Sequence, residues 1–155
     1  KAIWQSLLSG AKVGTAYGAH GVWSCHFDGM KFMHPDRKFE AYNWDLGLRL
    51  PGASDAAFAK WLWERYDLFD LNAVDLGVEE DEEVRVSANT DRSKIVLYTP
   101  CAYDLSLKVD LNEYRCELID LTNRRPLVPH VEVDEMSKIR MSMFNGDALF
   151  IAVKR

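Results

Sequence analysis

The chain has 155 residues, of which 48% are hydrophobic and 28% charged, a composition typical of one ordinary globular domain or two small ones. Its net charge is −5 and no basic stripe is visible, which argues against a nucleic-acid partner. No apolar run approaches the roughly 20 residues of a membrane span, so no membrane partner is expected. No secretory signal is visible either, but the chain begins with Lys1 rather than Met, and we expect its natural start to lie upstream.

The first segment predicts a helix followed by a short strand. Apolar residues recur at helical spacing over 2–10, and Gly10 suits a left-handed C-terminal cap. The segment 13–17 is short and its side chains are mostly small, which is typical of a barrel strand whose side chains crowd the barrel axis.

A long glycine-punctuated stretch, 18–42, follows that predicted strand. A loop of this length without clear periodicity is unusual in a compact domain unless it is functional. Tyr17, His20 and Trp23 lie at its start. Because α/β barrels build active-site walls from polar and aromatic groups at the C-terminal ends of strands, we expect these side chains to face a ligand.

Two helical segments are predicted next. Asn43 is a candidate N-cap for a short turn that carries Trp44, and Pro51-Gly52 is expected to end that turn. Ser54 is a candidate N-cap for a helix over 55–66. The helical spacing predicts a buried face on it that consists of Phe58, Trp61, Leu62 and Arg65 or Tyr66.

The second half of the chain has a different pattern. An acidic stretch over 73–82 is interpreted as a solvated linker. From residue 84 onward, apolar residues alternate with polar ones in six or seven short segments, which predicts an antiparallel β-sandwich over 83–155. Asn145-Gly146 is a strong signal for a hairpin turn within it.

The three cysteines, Cys25, Cys101 and Cys116, form no Cys-x-x-Cys pair. An odd, sparse set favours free thiols and a reducing compartment, hence a cytoplasmic location. A disulfide between Cys101 and Cys116 stays open as an alternative if two strands bring them together.

The residues and their spacing argue against several other chemistries. The spacing of His20, His26, His34 and Asp28 matches no zinc pattern, so no metal site is expected. Adjacent Cys25 and His26 rarely face each other as nucleophile and base require. Asp28 and Glu40 would be the paired carboxylates only if the chain were a complete enzyme. The glycines from Gly14 to Gly21 do not open a βαβ helix, which argues against a dinucleotide, and no cofactor is expected.

Three motifs carry a resemblance to a known family: WQSLLSGA at 4–11, GTAYGAHGVW at 14–23 and LPGA at 50–53. They resemble the C-terminal end of the apiosidase-like glycoside hydrolases, in which a (β/α)8 barrel is followed by a small β-sandwich labelled a putative collagen-binding domain. In the second half, IVLYTP at 95–100, IDLTNRR at 119–125 and ALFIAV at 148–153 resemble strands of that sandwich. This sequence lacks the tryptophan and the glycine usual near the turn at Asp120, which places binding roles of the sandwich in doubt.

The resemblance implies an α/β plus all-β fold: residues 1–72 would be the last elements of the barrel, 73–82 a linker and 83–155 the sandwich. Glycoside hydrolases use two carboxylates, and in this family they would lie upstream of Lys1, so none of the catalytic residues is expected in this chain. The implied partners are a carbohydrate substrate and the remainder of the barrel. Tyr17, His20, Trp23 and Trp44 would bind the sugar.

The implied activity is hydrolysis of a glycosidic bond, for instance in a side chain of a plant polysaccharide. The alternative is a non-catalytic module in which the sandwich binds carbohydrate or protein and the first part only docks it. If the chain is part of a longer protein, the helix face at Ile3, Trp4, Leu7 and Leu8 and the strand at 13–17 are expected to be an uncovered apolar patch.

Overall fold

The computed structural model describes residues 1–31, 41–78, 82–141 and 144–155. It divides into two compact units. The first, the β unit, consists of Lys1–Thr15 and Tyr66–Arg155, and the second, the loop unit, is Ala16–Arg65. These units differ from the domains predicted at 1–72 and 83–155, because the first helix groups with the strands. The predicted domain boundaries themselves stay a prediction.

The described helices lie in the first part of the chain, mostly where the sequence predicted helical segments, but the short helix at 20–23 falls in the stretch without clear periodicity. They are α1 (Ala2–Leu8), α2 (His20–Trp23), α3 (Trp44–Gly47) and α4 (Pro51–Arg65). Gly10 follows α1 with φ +100°, the left-handed conformation expected of a glycine after a helix. No helix in the described ranges is long and apolar enough to cross a membrane.

Helix α4 differs from the sequence prediction at its start and on its buried face. It begins at Pro51, whose fixed φ suits the first helical position, so Pro51-Gly52 opens the helix rather than ending the preceding turn. Ala59 and Leu62 are buried, whereas Trp61, predicted to be buried, is 52% exposed. The Trp61 ring stacks on Phe58 at 5.7 Å, and the Arg65 guanidinium lies 5.6 Å from its centroid. Contacts along the helix surface thus partly shield this ring in place of burial.

The strand predicted over 13–17 is absent: residues 12–13 form a turn and 14–19 have no regular structure. Val13 is fully exposed, and Gly14 has φ +97°. A strand exists only through backbone hydrogen bonds to a neighbouring strand. Among the described residues, none pairs with this segment, so its small-sided composition alone does not make it a strand.

Within the described residues, nine strands form two antiparallel sheets. The larger sheet has the order β1-β2-β3-β9-β5-β6 and the smaller sheet the order β4-β8-β7. The strands are β1 (Asn72–Ala73), β2 (Arg85–Ala88), β3 (Lys94–Thr99), β4 (Leu105–Leu107), β5 (Tyr114–Asp120), β6 (Arg125–Leu127), β7 (His130–Val133), β8 (Ser137–Arg140) and β9 (Ala148–Lys154). Antiparallel sheets with a shared core are what the period-two pattern predicted.

The core of the β unit lies between the two sheets. Ile95 and Leu97 of β3 contribute to it from the larger sheet, and Leu105 and Ile139 from the smaller one, all of them fully buried. Alternate residues of β3 point to the other face of the larger sheet, yet Val96 and Tyr98 are also fully buried. The larger sheet is therefore covered on both faces.

Helix α1 lies against this second face of the larger sheet. It contacts β2 and β3, and Ser87 of β2, which pairs with Val96, donates a 2.6 Å hydrogen bond to the carbonyl oxygen of Leu8. Trp4 and Leu8 are buried, 4% and 0% exposed. The expectation that the face of this helix would be uncovered is therefore wrong for these two residues, because the helix packs on the sheet.

The hairpin predicted at Asn145-Gly146 is also wrong. The strands on either side, β8 and β9, belong to different sheets, so this turn carries the chain from one sheet to the other. Gly146 has φ +123°, and a Cβ atom there would lie 2.5 Å from Oγ1 of Thr122. Glycine is needed at this crossing for both its backbone conformation and its lack of a side chain.

Candidate functional site

The loop unit holds all four predicted site residues, and its architecture depends on close packing of α2 against α3. A Cβ atom on Gly21 would lie 1.8 Å from the carbonyl oxygen of Tyr42, and one on Gly47 would lie 2.8 Å from Cγ2 of Val22. Neither glycine has a positive φ, so the backbone conformation does not require glycine at these positions. Glycine is required there because a side chain would have no space. Two glycines thus allow two one-turn helices to approach each other.

Backbone hydrogen bonds tie these helices to the segment around His26. The amide of His26 donates to the carbonyl oxygen of Gly21 at 2.9 Å, and the amide of Trp44 donates to the carbonyl oxygen of His26 at 3.0 Å. His26 is buried. A continuous path of hydrogen bonds therefore links the start of α3, where Trp44 lies, to α2, where His20 and Trp23 lie.

His20 and Trp23 come together at the surface. Their rings make an edge-to-face contact with centroids 6.4 Å apart, and Ser24 donates a 2.7 Å hydrogen bond to the carbonyl oxygen of His20. Trp23 is 49% exposed, and Trp44 is 39% exposed. Half-exposed indole rings on short, mutually braced helices are suited to stacking on the C–H face of a sugar.

Tyr17 is placed by a different contact. Its ring lies over Gly52 in the first turn of α4, where an added Cβ atom would be 2.4 Å from Cε2 of the tyrosine and 3.0 Å from its hydroxyl oxygen. The side chain is 43% exposed, and its hydroxyl makes no hydrogen bond within the part of the chain that the structure describes. The structure thus joins the motif at 14–23 to the motif at 50–53 through Tyr17 and Gly52.

Asn43 is a polar residue at this site that sequence reasoning treated only as a helix cap. The structure shows no side-chain capping bond from it. Its Oδ1 atom is buried and accepts no hydrogen bond from any described residue. A sequence pattern for a helix N-cap does not reveal that this side-chain oxygen is buried and makes no capping hydrogen bond.

The alternative chemistries gain no support from the described residues. No group of three His, Cys, Asp or Glu side chains within them could hold a metal ion. None of Cys25, Cys101 and Cys116 takes part in a disulfide among the described residues, so the alternative Cys101–Cys116 pairing is not formed. Glu40 and His34, part of the alternative carboxylate and metal hypotheses, lie outside the described residues.

Several carboxylates and a tyrosine of the β unit have shifted pKa values. Burial by itself would raise the pKa of Asp120, but hydrogen bonds from Asn123 and Arg125 hold that pKa below its usual value. Hydrogen bonds from Arg140 lower the pKa of Asp104 and of Glu132. Burial, together with the neighbouring Asp147, raises the pKa of Tyr98. These groups stabilise turns and strand ends, and they do not form a pair of carboxylates flanking a pocket.

The chain is similar to known proteins in its sequence and in its fold. Residues 1–70 match the family model described as "Apiosidase-like, catalytic domain", a range that includes all four aromatic and histidine candidates. A solved structure named "Glycoside hydrolase" resembles the chain with a TM-score of 0.71 at 12% identity, over 91% of this chain and 33% of that one. No curated protein sequence gives a match.

The match over residues 1–70 and the structural likeness support a relationship to glycoside hydrolases, and the described strands form antiparallel sheets consistent with a β-sandwich. At 12% identity the structural likeness shows the fold, and the chain spans about a third of the length of that structure. The resemblance to apiosidase-like glycoside hydrolases is confirmed by the family match over residues 1–70. Residues 1–70 thus resemble part of the catalytic domain of apiosidase-like glycoside hydrolases.

Proposed function

We propose that this chain is the C-terminal portion of a glycoside hydrolase and that its loop unit supplies part of the wall of the sugar-binding site. The observation that carries the proposal is the match of residues 1–70 to an apiosidase-like catalytic domain, a range that includes the half-exposed rings of Tyr17, Trp23 and Trp44. The substrate proposed is a side chain of a plant-type polysaccharide.

In this proposal the residues of the chain bind and orient the sugar, and they do not break the bond. Trp23 and Trp44 present ring faces to sugar C–H groups, while Tyr17 and His20 exchange hydrogen bonds with hydroxyls. The acid and the nucleophile or base come from upstream strands of a (β/α)8 barrel, of which residues 1–72 form the last elements. No residue of this chain is assigned a catalytic role.

The exposed apolar residues of the loop unit support a partner beyond this chain. Besides the site aromatics, Phe27, Met30, Tyr42, Leu46 and Leu48 are each about half exposed. Such a concentration of large apolar side chains is unusual for a free surface. The remainder of the barrel is the partner we propose for those that do not face the sugar.

The test uses the full-length protein that contains this chain, assayed against a panel of plant polysaccharides and 4-nitrophenyl glycosides. Trp23→Ala is compared with Trp61→Ala, a matched control because Trp61 is exposed to a similar degree (52% against 49%) but is stacked on Phe58. We expect Trp23→Ala to raise KM about fivefold, since removing a stacked aromatic costs about 1 kcal/mol, while Trp61→Ala stays near the wild type.

Absence of hydrolysis for every substrate in the panel, together with retained polysaccharide binding by the β unit, would support the binding module instead. Equal effects of Trp23→Ala and Trp61→Ala in an active enzyme would remove the loop unit from the sugar site and leave the hydrolase assignment intact.

A further inference from the structure

The contact between Gly52 and Tyr17 has a consequence for how the proposed sugar site is shaped. Gly52 lies in the first turn of α4, and its φ is not in the left-handed region. An alanine would be compatible with the helical backbone there and would favour helix formation. The reason for glycine is therefore the Tyr17 ring, which occupies the space that a Cβ atom would fill.

The size of the overlap is well defined. The Cβ position at Gly52 is 2.4 Å from Cε2 of Tyr17, 3.0 Å from Cζ and 3.0 Å from the hydroxyl oxygen. Ordinary van der Waals contact begins at about 3.4 Å. The Tyr17 ring, which is 43% exposed and can move outward, would have to shift by about 1 Å to accommodate even a methyl group.

The Tyr17 hydroxyl is available for a ligand. Within the described residues it neither donates nor accepts a hydrogen bond, although its ring is held against the helix. A half-exposed tyrosine whose ring packs against a helix turn presents its hydroxyl at the surface, where it can form a hydrogen bond with a sugar hydroxyl.

We propose that Gly52 is a positioning residue for the sugar site: by leaving room for the Tyr17 ring, it sets where the tyrosine hydroxyl meets the substrate and so contributes to sugar selectivity. This inference rests on the proposed function, because it requires Tyr17 to bind the sugar. Gly52 itself touches no substrate.

The experiment is a double-mutant cycle in the full-length protein with Gly52→Ala, Tyr17→Ala and the combination. Gly18→Ala is the matched control, because Gly18 neighbours Tyr17 in sequence, has no positive φ and has nothing within 4 Å of its Cβ position. kcat and KM are measured on the 4-nitrophenyl glycoside that the wild type cleaves best, and on the panel of other glycosides for selectivity.

We expect Gly52→Ala to raise KM about threefold to tenfold with little change in kcat, the effect of losing one neutral hydrogen bond that forms in both the ground and transition states. Gly18→Ala should leave both constants unchanged. In the Tyr17→Ala background, Gly52→Ala should have no further effect, because the ring it displaces is gone. Selectivity among glycosides should change with Gly52→Ala and not with Gly18→Ala.

Three outcomes overturn the inference in distinguishable ways. If the wild type neither cleaves nor binds any glycoside, the proposed function fails and the positioning role fails with it. If the wild type is active and Gly52→Ala behaves like Gly18→Ala, the positioning role alone fails. If Gly52→Ala lowers the thermal midpoint equally with and without the Tyr17 ring, the steric conflict involves another group, and the inference is refuted even for a poorly folded variant.

Discussion

The packing of α1 on the larger sheet predicts that a single leucine in the first helix controls the stability of strands about 80 residues away. Leu8 is completely buried, and its carbonyl oxygen accepts the hydrogen bond from Ser87. Leu8→Ala keeps that backbone bond but removes the side chain and leaves a cavity. Buried Leu→Ala changes cost about 3 kcal/mol, within a range of roughly 2–5 kcal/mol.

Hydrogen exchange followed by mass spectrometry on the full-length protein measures this cost locally. If amides of β2 (Arg85–Ala88) and β3 (Lys94–Thr99) exchange by opening of the β unit, a loss of about 3 kcal/mol raises their exchange rates roughly a hundredfold. The control is Leu7→Ala, the same change in the same helix at a half-buried position. It should raise those rates by much less, because less apolar surface is removed from contact.

If Leu8→Ala and Leu7→Ala change exchange in β2 and β3 equally, or if neither changes it, α1 does not stabilise the larger sheet.

Three further perturbations test the β unit, each followed by its thermal midpoint or by local hydrogen exchange. Asp120→Ala removes a buried carboxylate that accepts hydrogen bonds from Asn123 and Arg125, and it should lower the free energy of unfolding by about 3 kcal/mol. The control Asp110→Ala breaks a similar hydrogen bond at an exposed turn and should lower it by less than about 1 kcal/mol. Equal losses would contradict the role of burial. Gly146→Ala should cost about 1–3 kcal/mol from its φ of +123° and the contact with Thr122, and a neutral result would show that the crossing between sheets relaxes freely. Because Arg140 lowers the pKa of Asp104 in the folded state, the stability that this pair contributes is present at neutral pH and is lost as the pH falls through the lowered pKa. Arg140→Gln should therefore make hydrogen exchange in β8 less sensitive to acid. An unchanged pH profile of exchange would count against a contribution from this pair.

Much of the β unit could be predicted from the sequence because its signal is local. Alternation with period two predicts strands from residue 84 onward, and β3 (Lys94–Thr99) is one of the strands found there. Period two cannot say which strands share a sheet, so Asn145-Gly146 was interpreted as a hairpin turn although it joins two sheets. Sheet membership depends on long-range pairing, which only the tertiary structure specifies.

The candidate site shows the same division. Residue types and glycine punctuation singled out Tyr17, His20, Trp23 and Trp44 as candidates, and a family resemblance gave them a role that remains a proposal. The sequence could not show that Gly21 and Gly47 allow α2 to pack on α3, or that Gly52 makes room for Tyr17. Each of these glycines is required by a close contact with an atom that is distant in sequence.

What the sequence determined by itself was the kind of the longer segments: amphipathic helices and alternating strands, both encoded by neighbours within a few residues. The tertiary structure decided where those segments are buried. Trp4 and Trp61 both lie on helical apolar patterns, yet Trp4 is buried in the β unit and Trp61 is half exposed beside Arg65. Hydrophobic periodicity reports which face of a helix is apolar, whereas burial depends on which surface packs against it.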